Sequence, residues 1–251
     1  MNPEIPPPPA SQLDWTTIDL VVFDVDGTLY DQRQLRLGML RQLVRHTWQT
    51  RSLDTLRTLR TFRRVREALG ELGERGVDQA GADFMALQYA DTARRHGKTP
   101  AAVRALTDEW MEQRPLPLLA ACRYAHVADV FAGLRASGKR IAAFSDYPAP
   151  AKLAALGLAA DVVVCATDAG IARLKPDPAG LLAILRQTGV APERALMIGD
   201  RFDRDAAAAG RSGMRALIRS RRTHAQWPTF QGYDDAVFQP LLTGLDAVRG
   251  A

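Results

Sequence analysis

The 251-residue chain predicts an α/β fold: a parallel sheet with helices on both faces, carrying a block of helices inserted after its first strand. Three observations predict it. After residue 117, short apolar runs alternate with helical stretches, as parallel strands joined by crossover helices require. One strong strand, Ile18–Phe23, stands alone ahead of a long helical stretch at about 32–114. Acidic and glycine-bearing turns follow several strand candidates directly, which is where open parallel sheets place their ligands.

Residues 1 to about 14 contain Pro6-Pro7-Pro8-Pro9, which favours an extended polyproline conformation and adds few side chains to a core. A mobile tail over 1–17 is expected. The strand that follows is β-branched-rich and stops at the turn Asp24-Val25-Asp26-Gly27. Leu40, Leu43, Val44 and Trp48 share one helical face, and Leu53, Leu56, Leu59, Phe62, Val65, Leu69 and Leu72 share another. Both are expected to be the core of a helical bundle. Phe84 to Arg95 and Pro100 to Gln113 complete it, with Thr99-Pro100 as cap and first-turn residue. Arg114-Pro115-Leu116-Pro117 breaks the pattern as a linker.

Beyond it, strands are expected at Arg140–Phe144, Asp161–Cys165, Ala195–Ile198 and Met214–Ile218. Helices are expected at Val127–Ala136, Ala149–Leu156, Pro178–Gln187 and Ala206–Ala209. The expected domains are therefore 18–31 with 117–251 as the sheet domain, and 32–116 as the helical insertion.

A chain of this size can bury a core without disulfides. Cys122 and Cys165 lie in apolar stretches with no metal-ligand spacing, so each reads as a buried thiol in a reducing cytoplasm. No run approaches the roughly 18 apolar residues of a membrane span, and the start lacks the pattern of a signal peptide. A soluble protein is expected, with no membrane partner. The net charge of +5 is carried by arginine, with lysine only at positions 98, 139, 152 and 175. The arginines are scattered and accompany no recognition motif, which argues against a nucleic-acid partner.

The chemistry concentrates after strands. Asp24 and Asp26 follow the first, Ser145 and Asp146 the second, Gly199-Asp200 a later one, and Lys175 enters from the loop beyond Cys165. Two carboxylates one residue apart repel unless a cation or proton lies between them, and Asp200, Asp203 and Asp205 add more acid. A hard divalent cation answers this. Magnesium prefers oxygen ligands and pairs with phosphate oxygens, so phosphoryl chemistry is indicated; no histidine cluster offers a zinc site. Asp203, beside Arg204, reads as a helix-start residue, and Asp177-Pro178 as an ordinary helix start.

Asp24-Val25-Asp26-Gly27-Thr28-Leu29 resembles the DxDGT(L/V) signature of the haloacid dehalogenase superfamily. The resemblance continues in order through Phe144-Ser145, Lys175-Pro176-Asp177-Pro178, and Gly199-Asp200 with Asp205, spanning about 18–218. It implies a Rossmann-like core and a cap of the kind found in the phosphoglycolate phosphatase-like branch. It further implies that Asp24 is a nucleophile forming an aspartyl-phosphate and that Asp26 is the acid and base. Ser145 and Lys175 would hold the phosphoryl oxygens. Mg2+ would be ligated by Asp24, the Asp26 carbonyl and Asp200, with Asp205 in support. Backbone N–H groups near Val25 and Asp146 would also face the phosphoryl group.

Asp146, counted among the substrate-binding residues, stands where the family often has Asn; either its carboxylate points outward and leaves only its backbone N–H inside, or Tyr147 lines the leaving-group pocket. The expected activity is hydrolysis of a small phosphorylated metabolite. A phosphomutase, or a phosphate-ligand-binding protein without turnover, shares the residue set. A dehalogenase is disfavoured because such enzymes typically lack the acid at Asp26.

Overall fold

The computed structural model describes residues 13–74 and 84–243. β1 (Leu20–Phe23) is four buried apolar residues. It pairs in parallel with β2 (Arg140–Ser145) on one side and β4 (Ala195–Gly199) on the other. β3 (Val162–Cys165) flanks β2, and β5 (Arg215–Arg219) and β6 (Thr229–Phe230) extend the opposite side, giving the order β3-β2-β1-β4-β5-β6. The strand order reverses direction at β1, and its carboxyl end is where an open sheet offers a crevice.

Alternation along the strands fills both faces. Val21, Phe23, Ile141, Ala143 and Ile198 pack with Val130, Phe131 and Leu134 of α6 (Val127–Ala136) and with Leu153 of α7 (Pro150–Ala155). Leu20, Val22, Ala142, Phe144 and Met197 face the other way. They meet Leu181, Ile184 and Leu185 of α8 (Ala179–Thr188) and Ala208 and Ala209 of α9 (Ala207–Arg211). Gly180 is where a Cβ would meet the Phe144 ring at 2.2 Å, so the missing side chain lets α8 lie against the sheet.

Between β1 and β2 lie α1 (Gln32–Thr50), α2 (Asp54–Glu74), α3 (Phe84–His96), α4 (Pro100–Thr107), a π-helical turn at Asp108–Gln113 and α5 (Leu116–Cys122). Asp31 caps α1 by accepting from the N–H groups of Arg33 and Gln34. Thr99 caps α4 ahead of Pro100, as expected. Pro115 and Pro117 stand in the opening turn of α5 rather than in an extended linker, a place that suits the fixed φ of proline. The two crossings between sheet and helical block run side by side. Asp31 N–H donates to Cys122 O, and Tyr124 N–H to Leu29 O.

Two expectations are corrected. Residues 13–17, grouped with the tail, are tied down: Trp15 is buried and donates to Val237 O, and Lys139 Nζ donates to the carbonyls of Trp15 and Ile18. The rest of that tail, 1–12, lies outside the described residues. The stripe Leu40, Val44 and Trp48 is exposed, Trp48 at 81 %, with Leu43 only half-buried. α1 packs through its other face. Leu35 is buried, Gly38 lies against Leu118, and the His46 ring meets Trp110 edge-on. On α2, Leu59, Phe62 and Val65 are buried as expected, but Leu53 and Leu56 are exposed; the side chain of Leu72 lies outside the described residues.

Candidate active site

β1 ends in a turn that begins with Asp24, whose N–H donates to Ile198 O of β4. The turn closes on itself: Thr28 Oγ1 donates to Asp24 Oδ2 at 2.8 Å. Gly27 sits at φ +100°, and a Cβ there would fall 2.3 Å from Asp200 Oδ2. Only glycine lets the first acidic turn approach the carboxylate that follows β4.

Lys175 gathers the acids. Its buried Nζ lies 2.5 Å from Asp24 Oδ1, 2.6 Å from Asp205 Oδ1 and 3.5 Å from Phe144 O at the end of β2. Asp205 belongs to a π-helical turn, Phe202–Ala206, and its second oxygen accepts the N–H groups of Asp200 and Arg201, each at 3.0 Å. Gly199 makes room for it, since a Cβ there would lie 2.4 Å from the Asp205 carboxylate. Burial pushes the Asp24 carboxyl well up against the pull of Lys175, with Asp205, Asp200 and Asp26 adding to the rise. Burial, then Asp205, lifts Asp200 to about 6. Burial alone would lower the Lys175 ammonium, but Asp205 and Asp24 hold it well above its ordinary value.

Asp26 points elsewhere. Lys152 Nζ, from α7, lies 2.6 and 2.7 Å from its two oxygens, and Tyr30 Oη donates to Oδ1. Burial would raise this carboxyl; Lys152 outweighs it, and the group is held below its ordinary value.

The loop after β2 is shaped by polar contacts. Ser145, fully buried, accepts the N–H of Tyr147 on its Oγ at 3.2 Å. The Asp146 carboxylate turns toward the Lys175 backbone: Oδ1 accepts the Lys175 N–H at 3.0 Å, and Oδ2 lies 4.0 Å from Arg204 Nη1. Arg204 in turn donates to Lys175 O at 2.9 Å. Arg66, from α2, donates to Asp146 O and stands over the Tyr147 ring at 4.1 Å. Asp203 pairs with Arg201 at the surface.

Asp24, Lys175, Asp200 and Asp205 are thus brought together. Asp26 faces a separate lysine, Asp146 reaches the group through the Lys175 backbone, and the Ser145 hydroxyl is engaged within its own loop. Sequence reading missed Lys152, Tyr30, Arg204, Arg66 and Tyr233, whose hydroxyl donates to Thr28 O at 2.9 Å from a segment 205 residues away. For Lys152 a signal existed, because it is one of four lysines in an arginine-rich chain.

Among the described residues, Asp24, Asp200 and Asp205 offer oxygens all within 4.8 Å of one another. Four carboxylates, counting Asp26, face two ammonium groups, which leaves an excess that a divalent cation would balance. An all-oxygen set of this kind fits magnesium. Among the described residues, no helix is long and apolar enough to cross a membrane.

The family model for haloacid dehalogenase-like hydrolases matches residues 18–213. The chain is 35% identical over 109 residues to a phosphoglycolate phosphatase of Rhodospirillum rubrum. That match covers 42% of this chain and 45% of the relative, less than half of each. Among solved structures, a 2-haloacid dehalogenase of Pseudomonas syringae is similar over 93% of this chain and 100% of its own, with a TM-score of 0.59 at 22% identity. The magnesium-bound HAD-hydrolase YfnB of Bacillus subtilis is similar over 93% and 99%, with a TM-score of 0.58 at 13% identity. At these identities the two structures speak for the fold, while the family match rests on the chain's own residues, from the strand before Asp24 to the turn after Asp205. The chain belongs to the haloacid dehalogenase-like hydrolase family.

Proposed function

We propose that the protein is a magnesium-dependent phosphatase that hydrolyses a small phosphomonoester through an aspartyl-phosphate on Asp24. The observation that carries this reading is the Lys175 ammonium set between Asp24 and Asp205, with Asp26 two residues from the nucleophile. Residues 32–116 are read as the cap and 18–31 with 117–251 as the core. The phosphatase named among the relatives supports a phosphorylated metabolite as substrate. Buried, unpaired Cys122 and Cys165 support a reducing, cytoplasmic setting.

In this mechanism an Asp24 oxygen attacks phosphorus as the ester P–O bond breaks, and the leaving oxygen takes a proton from Asp26. Water then attacks phosphorus and gives its proton to Asp26, while the bond to Asp24 breaks and restores the carboxylate. Lys175, with the Ser145 hydroxyl and N–H groups of the two turns, offsets charge on the phosphoryl oxygens. Asp24, Asp200 and the Asp26 carbonyl, with Asp205 in support, would hold magnesium, which would supply further positive charge toward the phosphate. Because Lys152 occupies both Asp26 oxygens, proton delivery asks that pair to open as the leaving group enters.

The test is phosphate release from a panel of phosphomonoesters with and without magnesium, for the wild type and Asp24→Asn. Metal-dependent release that the variant loses by at least about a thousandfold (about 4 kcal/mol of barrier) supports the reading. No release by the wild type across the panel overturns it in favour of a mutase or a non-catalytic binder.

A further inference from the structure

One chain of hydrogen bonds runs from the helical block to the lysine at the centre of the site. Arg66, 5 % exposed, is oriented inside the block by Gln88, which accepts from its Nε at 3.1 Å and is itself anchored by donating to Phe62 O at 2.8 Å. From there the guanidinium crosses to the sheet, donates to Asp146 O and stacks on Tyr147. Asp146 holds the Lys175 N–H, and Arg204 holds the Lys175 carbonyl. The peptide groups on both sides of the Lys175 Cα are therefore fixed by the two residues that Arg66 and the turn after β4 present.

We propose that Arg66 is a positioning residue, through which docking of the helical block on the sheet sets where the Lys175 ammonium stands. The inference rests on the reading of Lys175 as the phosphoryl-binding group. Across the interface the guanidinium meets the Asp146 carbonyl and the Tyr147 ring, two contacts that fix the 145–148 loop. The block is joined to the sheet by two adjacent crossings at Tyr30–Asp31 and Cys122–Tyr124, so motion about them withdraws Arg66 from both contacts together. With Arg66 withdrawn, the loop is released, the Asp146 grip on Lys175 slackens, and phosphoryl transfer is held back until the block is seated. Arg66 acts through Asp146 and touches no reacting atom.

The experiment compares wild type, Arg66→Ala, Arg66→Lys and the exposed control Arg60→Ala by two readouts. The first is steady-state hydrolysis of p-nitrophenyl phosphate with magnesium. The second is amide hydrogen exchange of the peptides containing Tyr147 and Lys175. The expected result for Arg66→Ala is a tenfold or greater fall in kcat with KM within threefold, and faster exchange at both peptides; Arg66→Lys lies between, and Arg60→Ala matches wild type. Loss confined to KM with unchanged exchange at Lys175 would overturn the proposal and make Arg66 a leaving-group contact. Faster exchange spread through the whole block, with a lowered melting temperature, would also overturn it and make Arg66 structural. If Arg66→Ala fails to fold, Tyr147→Leu carries the same comparison. If the wild type has no phosphatase activity, the function reading fails, while exchange at Lys175 still decides the coupling.

Discussion

Lys152 and Asp26, 126 residues apart in sequence, meet through both carboxylate oxygens at 2.6 and 2.7 Å, although the lysine belongs to α7 and the aspartate to the turn after β1. Burial alone would raise the Asp26 carboxyl, and the ammonium reverses that. In Lys152→Met the Asp26 carboxyl therefore rises, and more of it is protonated at a given pH. The alkaline limb of kcat/KM against pH should move to higher pH. Because more of the acid form is present and no pair has to open before the proton is delivered, kcat/KM at neutral pH should rise, within the roughly 10²–10⁴-fold that a positioned acid and base contributes.

Gly27→Ala places a methyl 2.3 Å from Asp200 Oδ2 on a backbone at φ +100°. The expected cost is about 1–3 kcal/mol of stability in urea titrations, the range for a residue held in a sparsely populated region. Displacement of Asp200 should also raise the magnesium concentration for half-maximal activity by at least about tenfold, equivalent to about 1.4 kcal/mol.

Asp200 binds its proton more tightly folded than unfolded, with its value lifted from 3.8 to about 6. Its contribution to stability is therefore full below the unfolded value and is lost as pH rises through about 6. As a ligand of magnesium, Asp200 would give the metal and the proton the same carboxylate to compete for. The rise in melting temperature produced by magnesium should thus be small at pH 5 and grow through pH 6 to 7.5. At 100 times the dissociation constant it corresponds to about 2.7 kcal/mol. A magnesium shift that does not depend on pH would count against Asp200 as a ligand.

Trp48, 81 % exposed on α1, and Phe62, 3 % exposed on α2, test which helical faces carry the block. Trp48→Ala should change unfolding free energy by no more than about 0.5 kcal/mol. Phe62→Ala should cost about 3–5 kcal/mol, because its ring packs with Val103, Ala93 and Tyr89. Urea denaturation of both variants checks the contrast.

The sheet was legible because its signals are local: Val21-Val22 in β1 and Val162-Val163-Val164 in β3 are β-branched runs bounded by turns. β6 was not, since two residues, Thr229 and Phe230, carry no period. On α1, apolar residues occupy both faces, so spacing alone could not choose; the choice is made by Gly38, whose absent side chain admits Leu118. Asp24, Lys175, Asp200 and Asp205 were readable because each stands in a recognisable motif after a strand. Lys152, Arg66 and Arg204 were not, because what selects them is where a helix docks, and no local pattern encodes that.

The placement of β1 has a further consequence for how the molecule is made. Leu20 pairs with Arg140 on one side and Ala195 on the other, so the strand that leads into Asp24 leaves the ribosome 120 residues before its first partner. At about 5–20 residues per second that is roughly 6–24 s during which an apolar edge has nothing to pair with. The central strand is synthesised first and is flanked on both sides only once β4 has emerged, so assembly of the sheet waits on long loop closures.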